Sequence, residues 1–186
     1  MTVSTELDTR FRVAAATAGL LDVGFDVVDS PIGPLLVAAT ERGLCRIWFR
    51  PDVEEHLDQL ARSFGPRVLR SSSSVADARR QLDEYFDGRR EGFELEFDLG
   101  SAAPFARSVL RELAAVPYGQ TTTYGTLAAR VGSPGAARAV GTVMNRNPLP
   151  IVLPCHRVVG SNGSLTGYAG GLELKEQLLR LEGALL

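Results

Sequence analysis

The spacing of apolar positions divides the first hundred residues into a group of strands followed by helices. "DVVDSPIGPLLVAATERGLCRIWF" consists of short β-rich runs interrupted by proline and glycine, which predicts strands. "PDVEEHLDQLARSF" and "VADARRQLDEYFDG" carry apolar residues at three- and four-residue steps and predict two helices, the second with Ala76, Leu82 and Phe86 on its inner face. "FELEFDL" alternates apolar and acidic residues, which predicts a half-buried strand.

The chain from residue 101 onward follows a helical period and contains two short helices joined by a tight turn. Ser101 is expected to cap a helix that ends near Pro117. In "TYGTLAARVGSPGAARAVGTVMNRNP", Gly132 closes one helix, Ser133 caps the next, and Pro134 occupies its first position. This is a helix-turn-helix pattern, a motif that binds DNA in many proteins, although most short helix pairs bind nothing.

The C-terminal segment is predicted to contain an extended run, a hairpin and a final helix. Asn147 precedes a proline and should end the second helix of the pair, with extended chain from there to Cys155. "HRVVGSNGSLTGYAGG" predicts a hairpin with Asn-Gly at its turn. In "LELKEQLLRLEG" the residues expected to face inward are Leu174, Leu178 and Leu181.

Charge is distributed unevenly along this chain of 186 residues, whose formal net charge is −2. Residues 101–160 contain six arginines and one glutamate, whereas residues 1–100 contain 12 arginines and 18 acidic residues. Such a chain can present a positive face to an anion, and a chance scatter of charges is the competing interpretation. Hydrophobic residues make up 45% of the chain, so a packed core is expected.

The cysteine and histidine content limits the kinds of site that the chain can build. A structural zinc site needs four ligands of these types, and the sequence offers only Cys45, Cys155, His56 and His156, so no metal is expected. Cys45 is expected to be a small buried residue and His56 a solvated one. No apolar run reaches the ~20 residues that span a bilayer, and the N-terminus lacks the pattern of a secretory signal, which favours the cytosol.

Cys155 and His156 are neighbours in "PIVLPCHRVVG", and Glu182 lies at the end of the final helix. A cysteine with a reference pKa of about 8.5 is mostly thiol near pH 7, so a nucleophilic cysteine needs a base, and a carboxylate can orient a histidine that serves as one. Adjacent side chains on an extended strand point to opposite faces, which favours a link through water. The helix dipole disfavours a carboxylate at that end, so Glu182 either faces water or has a partner. From these residues alone, a purely structural Cys-His pair remains the alternative.

Three stretches carry a resemblance to a known family: "QLDEYFDG", "VPYGQTTTYGTLAARVGSPGAARAVG" and "NPLPIVLPCHRVVGSNGSLTGYAGGLELKEQLLRLEG". Together they resemble the O6-alkylguanine-DNA alkyltransferases, also called methylated-DNA–protein-cysteine methyltransferases. The resemblance implies irreversible, single-turnover transfer of a methyl or other alkyl group from O6 of guanine to Cys155 without a cofactor, with O4 of thymine as a further candidate position. It also implies that His156 takes the thiol proton through a water, that Glu182 orients His156, and that Asn147 braces the turn that carries them.

The same resemblance implies that the partner is double-stranded DNA containing O6-alkylguanine, with no obligate protein partner. Tyr124 would help to rotate the nucleotide out of the stack, and Arg138 would fill the space that it leaves. Small residues of the helix pair would allow close approach to the minor groove, namely Ala136, Ala137 and Gly141. The base pocket would be formed by Tyr124, Met144, Val158, Tyr168 and Ala169. Met144, Val158 and Tyr168 have a competing interpretation as ordinary packed residues.

The fold class implied is α+β, with a small N-terminal domain of β-sheet and helix (ribonuclease H-like) followed by a helical C-terminal domain with a winged helix-turn-helix. The predicted organisation is an N-terminal extension over 1–22, an α/β domain over 23–100, and a DNA-binding and alkyl-acceptor domain over 101–186. Residues 1–22 fit a short helix or a loose extension. The protein is expected to act as a cytoplasmic monomer in DNA repair.

Two other functions compete with alkyl transfer. An alkyltransferase-like damage sensor binds the altered base without transfer and lacks the reactive cysteine, so the presence of Cys155 disfavours it. A cysteine hydrolase needs an oxyanion site, and nothing else in the sequence calls for one.

Overall fold

The computed structural model describes residues 5–185, which form two compact units. The first unit contains the chain up to Asp83 together with Glu94–Gly100. The second contains Glu84–Phe93 and the chain from Ser101 onward. The short segment Glu84–Phe93 therefore belongs with the C-terminal part of the chain, although it lies within the α/β domain predicted over 23–100.

The N-terminal extension predicted over 1–22 contains a helix. Helix α1 spans Thr5–Thr17, while the first four residues of the extension lie outside the described residues, as does Leu186 at the other end. Among residues 5–185, no helix combines the length and apolar character that crossing a membrane requires.

A four-stranded sheet forms the framework of the first unit, in the order β3-β2-β1-β4. Strand β1 pairs antiparallel with β2, β2 pairs antiparallel with β3, and β1 and β4 are parallel. Gly33, with φ of 101°, lies in the turn between the first two strands, where a left-handed conformation favours glycine. The strands are β1 (Val23–Val28), β2 (Leu35–Thr40), β3 (Gly43–Phe49) and β4 (Val68–Arg70).

The core of the first unit lies where helix α2 (Val53–Phe64) meets the sheet. The helix begins at Asp52, whose carboxylate accepts a hydrogen bond from the backbone N–H of Glu55 (3.1 Å) and so acts as N-cap. Burial raises the pKa of the Cys45 thiol to about 12, as expected of a small core residue. The fully packed core residues are Val23, Phe25, Leu36, Ala38, Cys45 and Leu60.

Two side-chain expectations for the first hundred residues are wrong. His56 is half-buried where a solvated side chain was expected: its ring stacks on Trp48 with centroids 4.4 Å apart, because this turn of α2 faces β3. On helix α3 (Ala76–Phe86), Ala76 is exposed and the buried face starts two residues later. That face contains Ala78, Gln81, Leu82 and Tyr85.

The segment "FELEFDL" is extended but does not form the predicted strand. Its link to the sheet is a bridge between Leu44 and Phe97, in which Leu44 donates to the carbonyl of Glu96 (2.9 Å) and accepts from Asp98 (2.9 Å). Residues 93–97 alternate between half-buried and exposed as predicted, but the next acidic residue, Asp98, is buried. Pairing at one residue is too short to count as a ladder, so alternation alone overestimated the strand.

Helices dominate the second unit. Helix α4 (Pro104–Ala114) packs against α5 (Tyr124–Arg130) and α6 (Ala137–Asn145). Helix α7 (Leu172–Leu181) packs against a 3₁₀ turn at Cys155–Arg157. The two-residue strands β5 (Thr122–Thr123) and β6 (Val158–Val159) pair in parallel. The buried residues that α4, α5 and α6 contribute to this packing are Val109, Leu110, Leu113, Leu127, Ala128, Val140 and Met144.

The starts of two helices differ from the prediction. Ser101 does not cap α4, because the helix begins at Pro104 with Ala103 as N-cap. Helix α6 begins at Ala137, since the N–H of Ala136 bonds to the carbonyl of Ser133 (2.8 Å) and closes a separate turn. Ser133 and Pro134 therefore precede the helix, and Gly135 and Ala136 lie in the turn.

The predictions of a hairpin and of an inward-facing Leu181 are also wrong. The N–H of Gly160 bonds to the carbonyl of Ser164 (2.9 Å) around an Asn-Gly turn, but the described chain forms no strand after it. Strand β6 instead takes its partner from β5. On α7, Leu181 is 38% exposed, and Leu179 is buried in its place.

Candidate active site

A series of tight turns carries Cys155 and His156, where the sequence predicted extended chain. Leu153 donates its backbone N–H to the carbonyl of Leu149 (2.7 Å), and Cys155–Arg157 form a single 3₁₀ turn. Ile151 has φ of 74°, a left-handed conformation that is costly for a β-branched residue, and its side chain is fully buried. The surrounding packing therefore determines a backbone shape that Ile151 does not favour.

Asn147 spans this turn with its side-chain amide. Its Nδ2 donates to the carbonyl of Leu153 (2.7 Å), and its Oδ1 accepts from the N–H of Leu149 (3.1 Å). The same side chain forms a hydrogen bond to Cys155 that favours the thiolate. Asn147 thus ties together the two ends of the turn and also contacts the sulfur that the turn presents.

Cys155 begins the 3₁₀ turn and is 4% exposed. Burial raises the pKa of its thiol to about 11, and the opposing effects come from the Asn147 side chain, the charge of Lys175 and the backbone N–H groups of Cys155 and His156. At neutral pH the resting side chain is therefore a thiol. Nucleophilic attack by this sulfur requires a base.

His156 follows Cys155 in the 3₁₀ turn and is paired with Glu182. Its Nε2 lies 2.8 Å from Oε1 of Glu182, and both side chains are fully buried. Burial acts to raise the pKa of Glu182, but hydrogen bonds from His156, Arg157 and Tyr85 lower it to about 2. Glu182 is therefore ionised, and Nε2 carries the imidazole proton.

The other ring nitrogen of His156 is then the acceptor. Nδ1 is buried and has no hydrogen-bond partner among residues 5–185. Burial lowers the pKa of His156, against the opposing effect of Glu182. The imidazole is thus neutral at physiological pH and can accept a proton through Nδ1.

Glu182 has partners, which decides between the two alternatives that the sequence left open. Arg157 donates through Nε to Oε2 and through Nη2 to Oε1, both at 2.9 Å, and its Nη1 bonds to the carbonyl of Val116 (2.6 Å). The hydroxyl of Tyr85 donates to Oε1 (2.7 Å). These donors offset the unfavourable effect of the α7 dipole on a carboxylate at its C-terminal end.

Lys175 is a fully buried cation within the same unit. Its Nζ donates to the carbonyls of Val158 (2.6 Å) and Thr166 (2.7 Å), and its charge favours the thiolate of Cys155. Burial lowers the pKa of the ammonium, and its interaction with Cys155 acts in the opposite direction. Lys175 therefore ties β6 to the following loop and places a positive charge near the sulfur.

Replacing Lys175 with methionine, Lys175→Met, is expected to make Cys155 harder to ionise. Loss of the charge raises the thiol pKa, so alkylation of Cys155 by iodoacetamide at a fixed neutral pH slows by about tenfold for each pKa unit. The control Arg180→Met removes a cation from the exposed face of the same helix, where Arg180 pairs with Glu176. Equal rates for Lys175→Met and wild type across the pH range would contradict the electrostatic role.

Tyr124 and Gly141 lie where helices α5 and α6 come close together. Thr123 caps α5 by accepting from the N–H of Thr126 (3.1 Å), which places Tyr124 in the first turn. The Tyr124 hydroxyl accepts a hydrogen bond from Oγ1 of Thr166 (3.0 Å). A Cβ added at Gly141 would lie 3.9 Å from the Tyr124 ring, so the two helices meet closely here.

The charged side chains of this helix pair, Arg130 and Arg138, are both basic and exposed. Arg138 is exposed near the start of α6, while Ala136 and Ala137 are half-buried. Arg157 is buried against Glu182 and does not add to the surface charge. The exposed arginines of residues 101–160 are Arg107, Arg111, Arg130, Arg138 and Arg146.

The residues expected to line a base pocket differ in exposure. Met144 and Val158 are buried, and Tyr168 packs edge-on to His156 with ring centroids 6.4 Å apart. Ala169 is exposed in the loop that follows β6. Among residues 5–185, no group of three or more histidine, cysteine or acidic side chains has an arrangement that could hold a metal ion.

The sequence interpretation overlooked Arg157, Lys175 and Tyr85. Lys175 lies three and seven positions before Leu178 and Glu182, so the helical period places all three on one face of α7, and a lysine on a buried stripe was a usable signal. Tyr85 follows Leu82 at a helical spacing in α3. Its hydrogen bond to a residue 97 positions away left no local trace in the sequence.

Two family models match most of the chain. The model described as "6-O-methylguanine DNA methyltransferase, ribonuclease-like domain" matches residues 23–99. The model described as "6-O-methylguanine DNA methyltransferase, DNA binding domain" matches residues 104–184.

Several proteins named methylated-DNA–protein-cysteine methyltransferase are similar to this chain over nearly their whole length. The protein from Methanosarcina barkeri is 43% identical over 162 residues, which cover 85% of this chain and 96% of the relative. The protein from Mycobacterium leprae is 43% identical, with 83% and 89% covered. The protein from Salmonella typhimurium is 42% identical, with 86% and 95% covered.

Solved structures show the same fold. The structure of Mycobacterium tuberculosis OGT in complex with DNA has a TM-score of 0.76 at 37% identity and covers 87% of this chain and 93% of that one. The O6-methylguanine-DNA methyltransferase of Pyrococcus kodakaraensis has a TM-score of 0.61 at 28% identity, with 87% and 99% covered. The predicted α+β class, with an N-terminal sheet and helix domain and a helical C-terminal domain, is confirmed.

Proposed function

The chain belongs to the 6-O-methylguanine DNA methyltransferase family, and on that premise we propose that Cys155 is the residue that accepts the alkyl group. The protein repairs DNA by direct alkyl transfer, and its partner is DNA. The observation that supports Cys155 is its place in the buried group formed with His156 and Glu182, in which an ionised carboxylate leaves Nδ1 of the imidazole free to take a proton.

Transfer of the alkyl group from O6 to Cys155 is accompanied by the movement of one proton. Nδ1 of His156 takes the thiol proton of Cys155 through a bridging water, and Glu182 stabilises the imidazolium that forms. The thiolate attacks the alkyl carbon, a carbon–sulfur bond forms, and the bond from that carbon to O6 breaks with its electron pair going to guanine. Guanine then needs one proton, which balances the proton taken from the thiol.

No further step releases the alkyl group from sulfur. Releasing the alkyl group would require the Cys155 thiolate to leave from an unactivated alkyl carbon, so the thioether is stable. Each molecule therefore acts once, without a cofactor. This behaviour separates the proposal from a cysteine hydrolase, which regenerates its thiol.

Base extrusion brings the substrate to a buried sulfur. Because the alkylated base is stacked within the duplex and Cys155 is 4% exposed, the nucleotide must leave the duplex to react. We assign Tyr124 to rotating the nucleotide, Arg138 to filling its place, and small residues to close contact with the minor groove: Ala136, Ala137 and Gly141. The exposed arginines supply affinity for phosphates of any sequence.

The extruded base is assigned to the region between α5, α6 and the loop after β6. Met144 and Val158 would provide apolar walls, and Tyr168 would pack beside the base, close to His156. Ala169 has no side-chain hydroxyl, so a hydrogen bond to O6 from this position comes from the backbone. O4 of alkylated thymine presents the same kind of alkyl carbon and is a second candidate substrate.

We place the protein in the cytoplasm, where both of its cysteines would remain reduced. Cys45 and Cys155 are free thiols in the structure, and the proposed reaction consumes one of them.

Replacing Arg138 with alanine is expected to impair repair of duplex DNA more than reaction with the free base O6-benzylguanine. The guanidinium acts on the duplex and not on the sulfur, so the free base bypasses it. Rates of thioether formation on both substrates give the comparison, with Arg146→Ala as a control that removes an exposed arginine at the other end of α6. Equal losses on both substrates would remove Arg138 from base extrusion.

The test of the function is the stoichiometry of repair. Full-length protein is incubated with excess duplex DNA containing one O6-methylguanine, and restored guanine is counted per protein molecule. The expected plateau is one guanine per molecule. Continued turnover would contradict the single-use mechanism, and binding with no restored guanine would indicate a damage sensor.

A further inference from the structure

Tyr85 is a fully buried residue of the second unit that the reaction scheme above does not use. It lies in the last turn of α3, within the stretch Glu84–Phe93 that joins the C-terminal part of the chain. Its ring packs against Phe93, with centroids 5.4 Å apart, and against Tyr118 at 6.1 Å. The hydroxyl is therefore held in one place by packing on several sides.

The Tyr85 hydroxyl bonds to the carboxylate oxygen that faces His156. Oε1 of Glu182 lies 2.7 Å from the hydroxyl of Tyr85, 2.8 Å from Nε2 of His156 and 2.9 Å from Nη2 of Arg157. Oε2 accepts a hydrogen bond from Nε of Arg157 (2.9 Å). Each donor to a carboxylate oxygen stabilises its charge and lowers its basicity, so three donors on Oε1 compete with one another.

Tyr85 acts here only as a donor. Burial raises the pKa of the phenol, and the charge of Glu182 raises it further. The carboxylate is ionised, with its pKa lowered to about 2, so the shared hydrogen belongs to the phenol oxygen. Tyr85 therefore contributes a neutral donor of fixed position, without adding a charge.

We propose that Tyr85 is a positioning residue for alkyl transfer: its hydroxyl shares Oε1 of Glu182 with His156 and so sets how strongly Glu182 holds the Nε2 proton. The inference rests on the proposed function, in which His156 must be neutral to take the thiol proton. Arg157 fixes both oxygens of the carboxylate by charge. Tyr85 bonds only to Oε1, the carboxylate oxygen that also accepts the hydrogen bond from His156.

The effect on His156 has a definite sign. Removing the hydroxyl leaves Oε1 with fewer donors, so Glu182 stabilises the imidazolium more strongly and the pKa of His156 rises. The protein then loses its neutral base at a higher pH than wild type does. At high pH, where the thiol ionises without help, the two proteins should react at similar rates.

Other charged and titratable groups that face this pair come from several elements. His156 is affected by Arg157 from its own turn and by Lys175 and Glu182 from the α7 region, and it lies edge-on to Tyr168 of the loop. Glu182 also interacts with Tyr118. Replacing any of the charged groups changes the local charge, whereas Tyr85→Phe removes one hydroxyl and keeps the ring that packs.

Tyr118→Phe is the matched control. It also removes one tyrosine hydroxyl from the same aromatic cluster, but that hydroxyl bonds to the carbonyl of Leu181 (3.0 Å) and not to the carboxylate. Both variants lose one hydroxyl and keep an aromatic ring. A difference between them reports the bond to Glu182.

The primary measurement is the titration of His156 by NMR in full-length protein labelled with ¹⁵N-histidine. The chain has two histidines, so His56 in the first unit serves as an internal reference for folding. In Tyr85→Phe the His156 midpoint is expected to rise, and in Tyr118→Phe to stay at the wild-type value. An unchanged midpoint in Tyr85→Phe, or the same rise in both variants, would overturn the proposal.

The second measurement is the single-turnover rate of methyl transfer from duplex DNA as a function of pH. A rise of half a pH unit in the acid limb corresponds to a rate about threefold lower at a pH on that limb, with the difference vanishing at high pH. A uniform loss at every pH would indicate a structural role and overturn the proposal. The NMR titration needs no transfer, so failure of the wild type to transfer would reject the proposed function separately.

Discussion

Glu182→Gln is expected to reduce the rate of methyl transfer by about 10²–10⁴-fold, the range for loss of a general-base system. A neutral amide does not stabilise the imidazolium that forms when His156 takes the thiol proton. It also cannot accept both hydrogen bonds from Arg157 and the one from Tyr85 as an ionised carboxylate does. Single-turnover rates with duplex DNA containing O6-methylguanine measure the effect.

The same substitution is expected to lower the free energy of unfolding by about 3–5 kcal/mol. Removing one partner of a buried ion pair leaves the guanidinium of Arg157 uncompensated. Glu176→Gln is the matched control, because Glu176 is paired with Arg180 at the exposed face of the same helix. An exposed pair contributes about 0–1 kcal/mol, so denaturant unfolding should separate the two variants clearly.

The pH dependence of unfolding identifies the charge as the cause. The pKa of Glu182 in the folded protein is about 2, below its ordinary value of 4.5, so its stabilising effect is present above pH 4.5 and is lost as pH falls toward 2. The difference in unfolding free energy between wild type and Glu182→Gln should therefore shrink over that range. A constant difference would mean that the charge of Glu182 is not its source.

Cys155→Ser is expected to abolish methyl transfer, with a loss of at least about 10⁴-fold, the scale seen when a covalent nucleophile is removed. A serine hydroxyl ionises far less readily than a thiol, and His156 is not basic enough to compensate. The substitution changes one atom in a buried position and leaves α5 and α6 intact. Binding to duplex DNA containing O6-methylguanine should therefore remain near the wild-type level.

Loss of DNA binding in Cys155→Ser would contradict this separation of roles. The exposed arginines and the alkyl acceptor Cys155 belong to different parts of the second unit. A substitution in one part should therefore leave the role of the other part intact. Arg138→Ala is expected to impair transfer from duplex DNA and to spare transfer from the free base, whereas Cys155→Ser is expected to lose transfer from every substrate.

Local patterns in the sequence predicted much of this molecule. The β-rich runs interrupted by proline and glycine correctly indicated the strands β1 to β3, and apolar residues at three- and four-residue steps correctly indicated the helices α2 and α3. The helix pair around Gly132 followed from turn chemistry. The prediction of a reactive Cys155 with His156 and Glu182 came from the resemblance to a family and not from spacing.

The conformation around Cys155 was not predictable in the same way. The turn depends on the side chain of Asn147 and on an unfavourable φ at Ile151, both of which are stabilised by contacts with the rest of the unit. An extended strand was the simpler expectation for a run rich in valine, leucine and proline. Cys155 and His156 lie in a 3₁₀ turn, so their side chains do not alternate between opposite faces as neighbours on a strand do.

The polar contacts of the site were harder still to predict. Tyr85 and Glu182 are 97 positions apart, and Lys175 bonds to two backbone carbonyls whose positions depend on the folded loop. Local sequence patterns contain no information about such pairs. The one available indication was that a lysine and a tyrosine occupy helix positions where the helical period predicts buried apolar residues.

The central claim is that Cys155 becomes the alkylated residue, and peptide mapping by mass spectrometry tests it most directly. Full-length wild type and Cys45→Ala are incubated with duplex DNA containing O6-methylguanine, digested and analysed. The peptide containing Cys155 is expected to gain the mass of one methylene group in both proteins, and Cys155→Ser is expected to gain none. An unmodified Cys155 alongside restored guanine, or a methyl group on Cys45, would contradict this claim.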